Sequence, residues 1–228
     1  MSEKRLIKSY VLRKGRMSDG QRTAYEQLID VHCLKYEDRL IDFKRIFPDS
    51  QKYFLEIGFG MGDVTHAIAE KNPQNAYIGI EVHSPGVGKL LSEIEKKGLN
   101  NLIVIEHDAV EVLNNMIPDE SLDGIHIFFP DPWQKQKHYK RRLIQPDFTK
   151  LLSKKLNPGG YVYSVSDWED YAEQILEVFS GEESLENKYN HWADPQDWRT
   201  ETKFERRGLK KNHLIREVFF IKKQKAGD

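Results

Sequence analysis

The chain has 228 residues, 39% hydrophobic and 31% charged, and its 35 Lys and Arg against 36 Asp and Glu leave a formal charge of −1. That length can bury one sizeable core, and the near-neutral balance removes any global electrostatic argument for a polyanionic partner; only local segregation of sign could support one. No apolar run approaches the roughly 20 residues that span a bilayer, no apolar signal core opens the chain, and the one cysteine, Cys33, excludes an internal disulfide, so a cytoplasmic location is expected.

Residues 1–22 carry Lys4, Arg5, Lys8, Arg13, Lys14, Arg16 and Arg22 with weak periodicity, and read as a basic arm ahead of a single domain over 23–228. Tyr25, Leu28, Ile29 and His32 share helical spacing, which predicts a helix within 23–46. From residue 53 the apolar runs "YFLEIGF", "AYIGIEV", "LIVIEHD" and "LDGIHIFFP" alternate with "DVTHAIAEKNP", "GKLLSEIEKKG" and a short helix. Strands alternating with helices require crossovers, and therefore a parallel sheet. "FTKLLSKKLNPGG" then reads as a helix stopped at Pro158-Gly159-Gly160, followed by the strand "YVYSVS" and a helix from "DWEDYAEQILEVF". A polar segment over 181–200 and a strand at "REVFFIKK" complete the chain, and residues 199–216 repeat the basic bias of the arm.

"LEIGFGMGD" puts Gly58, Gly60 and Gly62 where the first strand turns into a helix, and such glycines admit both a close ligand and backbone angles closed to other residues. The turn by itself fits several nucleotide-like ligands, or only a tight turn. Its spacing departs from G-x-G-x-x-G, with Asp63 at the expected third position, and no Gly-Lys-Ser/Thr follows. Glu56, two residues before the turn, would repel a pyrophosphate and suit a cationic ligand such as S-adenosylmethionine. Glu81 ends the second strand, placed to accept from both ribose hydroxyls, and Asp108 ends the third, where it could accept from an adenine amino group. The alternative is that these carboxylates cap the helices that follow.

The fourth strand ends in "FFPDPWQKQKHYKRR". Pro130 and Pro132 fix their own φ angles and extend the residues before them, which stops the strand and holds Asp131 still. Lys135 to Arg142 could then contact phosphates, with Trp133 or Tyr139 stacking on a base; a solvated helical face is the other reading of such a run. His66 and His126 read as packing residues, and no Cys/His cluster has zinc spacing, so no metal is expected.

Seven blocks in order, "SYVLRKGRMSDGQ" (9–21), "LEIGFGMGD" (55–63), "GIEVHSPGVG" (79–88), "HDA" (107–109), "FFPDPWQKQKHYKRRL" (128–143), "SVSDWEDYA" (164–172) and "RTETKFERRG" (199–208), resemble the bacterial tRNA (guanine-N7-)-methyltransferase family along nearly the whole chain. Gln134, where members often have His or Pro, is the one small departure. The resemblance implies an α/β, Rossmann-like class I methyltransferase fold: a mostly parallel seven-stranded sheet with helices on both faces and an antiparallel C-terminal strand. It implies S-adenosylmethionine as cofactor and S-adenosylhomocysteine as product, with a guanine in the variable loop of tRNA as acceptor and no obligatory protein partner. Glu56, Gly58, Gly60, Glu81, Asp108, Ala109 and Asp131 would bind the methyl donor, with Asp131 in the catalytic position. Lys135, Asp167, Thr202, Lys203, Phe204 and Glu205 would meet the guanosine. The basic arm, tract and tail by their charge would place Arg13, Arg16, Lys137, Arg141, Arg142, Arg206 and Arg207 against the tRNA backbone.

Guanine N7 carries a lone pair and no proton, so its methylation needs alignment rather than a strong base. The guanine edge offers two N–H donors, which suits carboxylates such as Asp167 and Glu205; Asp167 could instead cap the helix from Trp168. The competing functions are a methyltransferase with another acceptor, an RNA-binding module without turnover, and a nicotinamide-dependent dehydrogenase, the last disfavoured by the glycine spacing.

Overall fold

The computed structural model describes residues 8–11, 15–199, 205 and 214–224. Ser18 opens the first helix, α1 (Asp19–His32), with a capping box in which its hydroxyl accepts from Gln21 and the Gln21 side chain accepts from the Ser18 N–H. The helix therefore begins inside the stretch read as an arm. The helical pattern within 23–46 divides into α1 and a single turn, α2 (Phe43–Ile46), capped by Asp42.

The sheet then builds as β1 (Tyr53–Ile57), α3 (Asp63–Lys71), β2 (Ala76–Glu81), α4 (Ser84–Lys97), β3 (Leu102–Glu106), α5 (Ala109–Asn115), β4 (Leu122–Phe128), α6 (Pro146–Lys155), β5 (Leu156–Ser166), α7 (Glu169–Ser180), β6 (Leu185–Asn187) and β7 (Arg216–Lys222). Its order is β3-β2-β1-β4-β5-β7-β6, parallel from β3 through β5. The chain runs outward from β1 to β3 and returns to place β4 on the other side of β1, which creates the switch point of an open sheet. Strand β7 pairs antiparallel with both β5 and β6.

Period-two alternation divides the core between the two faces. Leu55, Ile78, Ile80, Ile105, Ile125 and Ile127 pack with Val112, Leu152, Tyr171 and Phe179 from α5, α6 and α7. On the other face Phe54, Tyr77 and Val104 pack with Ile68, Val87, Leu90 and Ile94 from α3 and α4. Removing a fully buried Leu55 or Leu90 side chain would cost about 2–5 kcal/mol.

Two expectations are corrected. Helix α6 ends at Lys155 rather than at Pro158-Gly159-Gly160, which lies inside β5. Leu122 pairs with Leu156 and Gly124 with Tyr161, so Asn157–Gly160 bulge out of the ladder, with Gly159 at φ 80°. The polar segment over 181–200 contains β6, held against β7 from Leu185 to Asn187. Among the described residues no helix is long and apolar enough to cross a membrane.

Candidate active site

The carboxyl ends of β1 to β4 open on a cavity of about 210 Å³. Ile57 and Gly58 line it from the end of β1, Glu81 from β2, His107, Asp108 and Ala109 from the turn after β3, and Phe128 to Asp131 from the end of β4. Open parallel sheets take their ligands in this crevice, because loops diverge there on both sides of the switch point.

The glycine turn is fixed from two sides. Gly58 and Gly60 have φ of 73° and 58°, in the left-handed region that a Cβ disfavours. The Gly60 N–H donates to Glu81 Oε2 at 2.8 Å, while Glu81 Oε1 accepts from the N–H groups of Val82 and His83 at 2.7 and 3.1 Å. Helix α4 approaches so closely that a Cβ on Gly86 would lie 1.9 Å from the Gly60 carbonyl oxygen. Burial pushes the Glu81 carboxyl up, and the three backbone donors oppose that shift. Glu81 does not cap α4, whose N-cap is His83.

Glu56 lies in β1 between Gly79 of β2 and His126 of β4, buried behind the cavity rather than lining it. Burial pushes its carboxyl up to about 8; a Thr65 hydroxyl opposes the shift and the Glu81 charge adds to it. A cation brought alongside would favour the ionised form. His126 is the packing residue expected: burial lowers its imidazole to about 3, Nε2 meets the Tyr161 hydroxyl at 2.9 Å, and its ring stacks between Phe54 and Trp198. Asp108 is the N-cap of α5, its Oδ1 accepting from Val110 at 2.9 Å and Glu111 at 3.4 Å, and it also lines the cavity, so it caps the helix while facing the crevice.

Asp131 is exposed at the cavity mouth. Phe129 and Trp133 on either side of the Pro-Asp-Pro step have φ of 50° and 44°, a conformation that costs a non-glycine residue of order 1–3 kcal/mol. Neighbours hold that strain in place: the Phe129 N–H donates to Val165 O at 2.8 Å, and Arg142 Nε donates to Pro132 O at 2.9 Å.

A family model described as a putative methyltransferase matches residues 50–218. A tRNA (guanine-N(7)-)-methyltransferase of Nitrosospira multiformis is 52% identical, covering 99% of this chain and 98% of its own length. One of the same description from Chromobacterium violaceum is 51% identical over 96% of this chain and 97% of its own. The chain belongs to the tRNA (guanine-N(7)-)-methyltransferase family. Among solved structures, the 16S rRNA methyltransferase KamB aligns with a TM-score of 0.60 at 14% identity, over 82% of this chain and 95% of that one. The aminoglycoside resistance methyltransferase NpmB1 aligns at 0.54 and 14% identity, over 81% and 94%. These two likenesses show the fold alone.

For this member of the family, the other expected site residues fall into three groups. Lys135, Lys137 and Lys140 are exposed around the 3-10 turn Gln136–Arg141, Arg16 is exposed, and the Arg141 guanidinium sits 4.6 Å above the Trp133 ring. Arg142 is a correction: it is buried and its guanidinium is spent inside the protein, on Pro132 O, on Gln174 Oε1 at 2.6 Å, on Asp170, and over the rings of Tyr139 and Tyr171. It braces the Pro-Asp-Pro-Trp turn instead of facing solvent. Glu205 is buried as well, accepting from both terminal nitrogens of Arg199 at 2.6 and 2.8 Å, and Arg199 also reaches Glu217 at 2.9 Å and the Tyr163 hydroxyl at 3.1 Å. Asp167 is half-buried after β5; the N-cap of α7 is Trp168, which makes no side-chain cap. Arg13, Thr202, Lys203, Phe204, Arg206 and Arg207 lie outside the described residues.

Sequence reasoning missed Ser9, Tyr10, His107 and Leu143, all of which line the cavity. One signal for the first two was present: the Trp133 indole needs an acceptor, and its Nε1 donates to Ser9 O at 2.8 Å.

Proposed function

We propose that this chain transfers a methyl group from S-adenosylmethionine to N7 of a guanine in the variable loop of tRNA, in the cytoplasm. One observation carries the reading: Glu81, Asp108, Asp131 and the Gly58 turn surround a single cavity at the switch point, in a chain 52% identical to a tRNA (guanine-N(7)-)-methyltransferase. The donor set fits this cofactor. Its carboxylates, Glu81, Asp108 and Asp131, are acceptors suited to ribose hydroxyls, an exocyclic amine and cations, and no Walker-type lysine stands in the turn.

The bound cofactor supplies an electrophilic methyl group on a sulfonium. Glu81 takes the ribose hydroxyls and Asp108 the adenine amino group, while Gly58 lets the backbone come close and Gly60 holds Glu81 in place. Asp131, held between two strained residues, orients the incoming purine and stabilises the positive charge that develops on it. No side chain has to remove a proton, since N7 has none; alignment is the larger task, and in favourable systems it lowers a barrier by roughly 7–11 kcal/mol. Asp167, Lys135 and the 202–204 stretch meet the guanosine, while the buried Glu205 stays paired with Arg199. The exposed Arg16 and Lys137 and the half-buried Arg141, with the basic residues after 205, hold phosphates and read shape more than sequence.

Incubating unmodified tRNA transcripts with the enzyme and cofactor, then analysing nucleosides by mass, tests the reaction. N7-methylguanosine should be the only new nucleoside; a different methylated nucleoside would assign another acceptor, and none at all would reject the enzyme reading.

A further inference from the structure

From the clasp between the N-terminal segment and the Pro-Asp-Pro-Trp turn, we infer that Tyr10 covers the purine of the bound cofactor and that Trp133 is the positioning residue that puts it there. The inference rests on the cofactor reading of the cavity.

Ser9 and Tyr10 belong to a segment far from the sheet in sequence, yet both line the cavity. They do so because the Trp133 indole N–H donates to the Ser9 carbonyl at 2.8 Å. Trp133 itself is held in the left-handed region at φ 44°, with Arg141 over its face at 4.6 Å and His138 against its edge. Two ring contacts on one indole make an anchor, and what it anchors is the Ser9-Tyr10 backbone.

The segment covers a particular end of the cavity. The Lys8 ammonium donates to the Tyr10 hydroxyl at 2.9 Å, and its pKa is raised mainly by that bond, with further contributions from the charges of Asp108 and Glu111 on the β3 side. His107, Asp108, Ala109 and Val110 line that side. Asp108 is the residue proposed to take the adenine amino group, and Tyr10 lines the same cavity, which puts the phenol ring within reach of a purine seated there. An aromatic ring against a purine is a favourable contact that adds to edge recognition.

The test is calorimetric binding of S-adenosylhomocysteine and of methylthioadenosine, which keeps the purine and ribose but lacks the amino acid. It compares the parent, Tyr10→Ala, Trp133→Phe and the double variant. Trp133→Phe keeps an aromatic ring under Arg141 and removes the N–H donor together with the rest of the pyrrole ring. Each single variant should weaken both ligands by a similar factor, about tenfold, and the double variant should be no weaker than the weaker single, because Trp133 acts through the segment that carries Tyr10. Unchanged affinity in Tyr10→Ala, a loss confined to S-adenosylhomocysteine, or additive losses would overturn the inference. Tyr10 lies on a segment outside the core, so Tyr10→Ala decides the matter even if Trp133→Phe fails to fold. A parent that binds neither ligand would reject the cofactor reading itself, a separate result.

Discussion

Glu56 shows how a residue's depth in the fold can depart from what its place in the sequence suggests. The sequence put an acid before the glycine turn; the structure puts it behind the cavity wall, with burial raising its pKa to about 8. Between the usual carboxylate range and that value the folded chain holds a proton that the unfolded chain has released, so stability falls as pH rises through the interval. The slope approaches ~1.4 kcal/mol per pH unit, and for a chain of this length each kcal/mol is worth ~2–4 °C of melting temperature. Glu56→Gln keeps the neutral shape and removes the slope, so its melting temperature should gain on the parent's by several degrees between about pH 5.5 and about pH 8. Parallel pH profiles would mean that Glu56 is already ionised in the free protein. Glu81, Asp108 and Asp131 were legible because strand ends announce themselves in apolar runs. Depth behind a wall is not, since it depends on which neighbours close over the residue.

The Pro-Asp-Pro-Trp turn and the 3-10 segment that follows form one element with two jobs. Its exposed lysines face solvent, while Arg142 turns inward and ties Pro132 to Gln174 and Asp170. A run of cations in sequence does not reveal such a division, because a 3-10 turn changes direction between adjacent residues and burial follows from α7 packing beneath it. Arg142→Ala should lower stability by about 2–4 kcal/mol, since it strips a buried network of its donor. Lys137→Ala should leave the melting temperature within error, weaken tRNA binding and reduce its salt slope by about 1. Thermal unfolding and salt-dependent binding of both variants check the pair; the reverse pattern would return Arg142 to the RNA surface. The same lesson holds at β5, where Pro158-Gly159-Gly160 looks like a helix stop but forms a bulge, and at β6, too short for its alternation to register.

The fold as a whole was readable because four strand–helix repeats leave little choice: parallel pairing, right-handed crossovers, and a crevice where the order reverses. Long-range closure was not readable. The arm reaches the cavity through one indole, and the tail is bound to the sheet through Arg199, whose ion pairs with Glu205 and Glu217 are buried beside Tyr163. Contacts of that range have no periodicity to betray them. In the proposed function the crevice presents a methyl donor and an acceptor to each other across Asp131. Single-turnover methylation of tRNA, followed by borohydride reduction and aniline scission, reads this arrangement directly in the parent and in Asp131→Ala. The parent should yield one cut, in the variable loop. Asp131→Ala should yield the same cut about 100-fold more slowly while binding S-adenosylhomocysteine within a few-fold of the parent. A parent that gives no cut, or an Asp131→Ala variant that cuts at the parental rate, would contradict it.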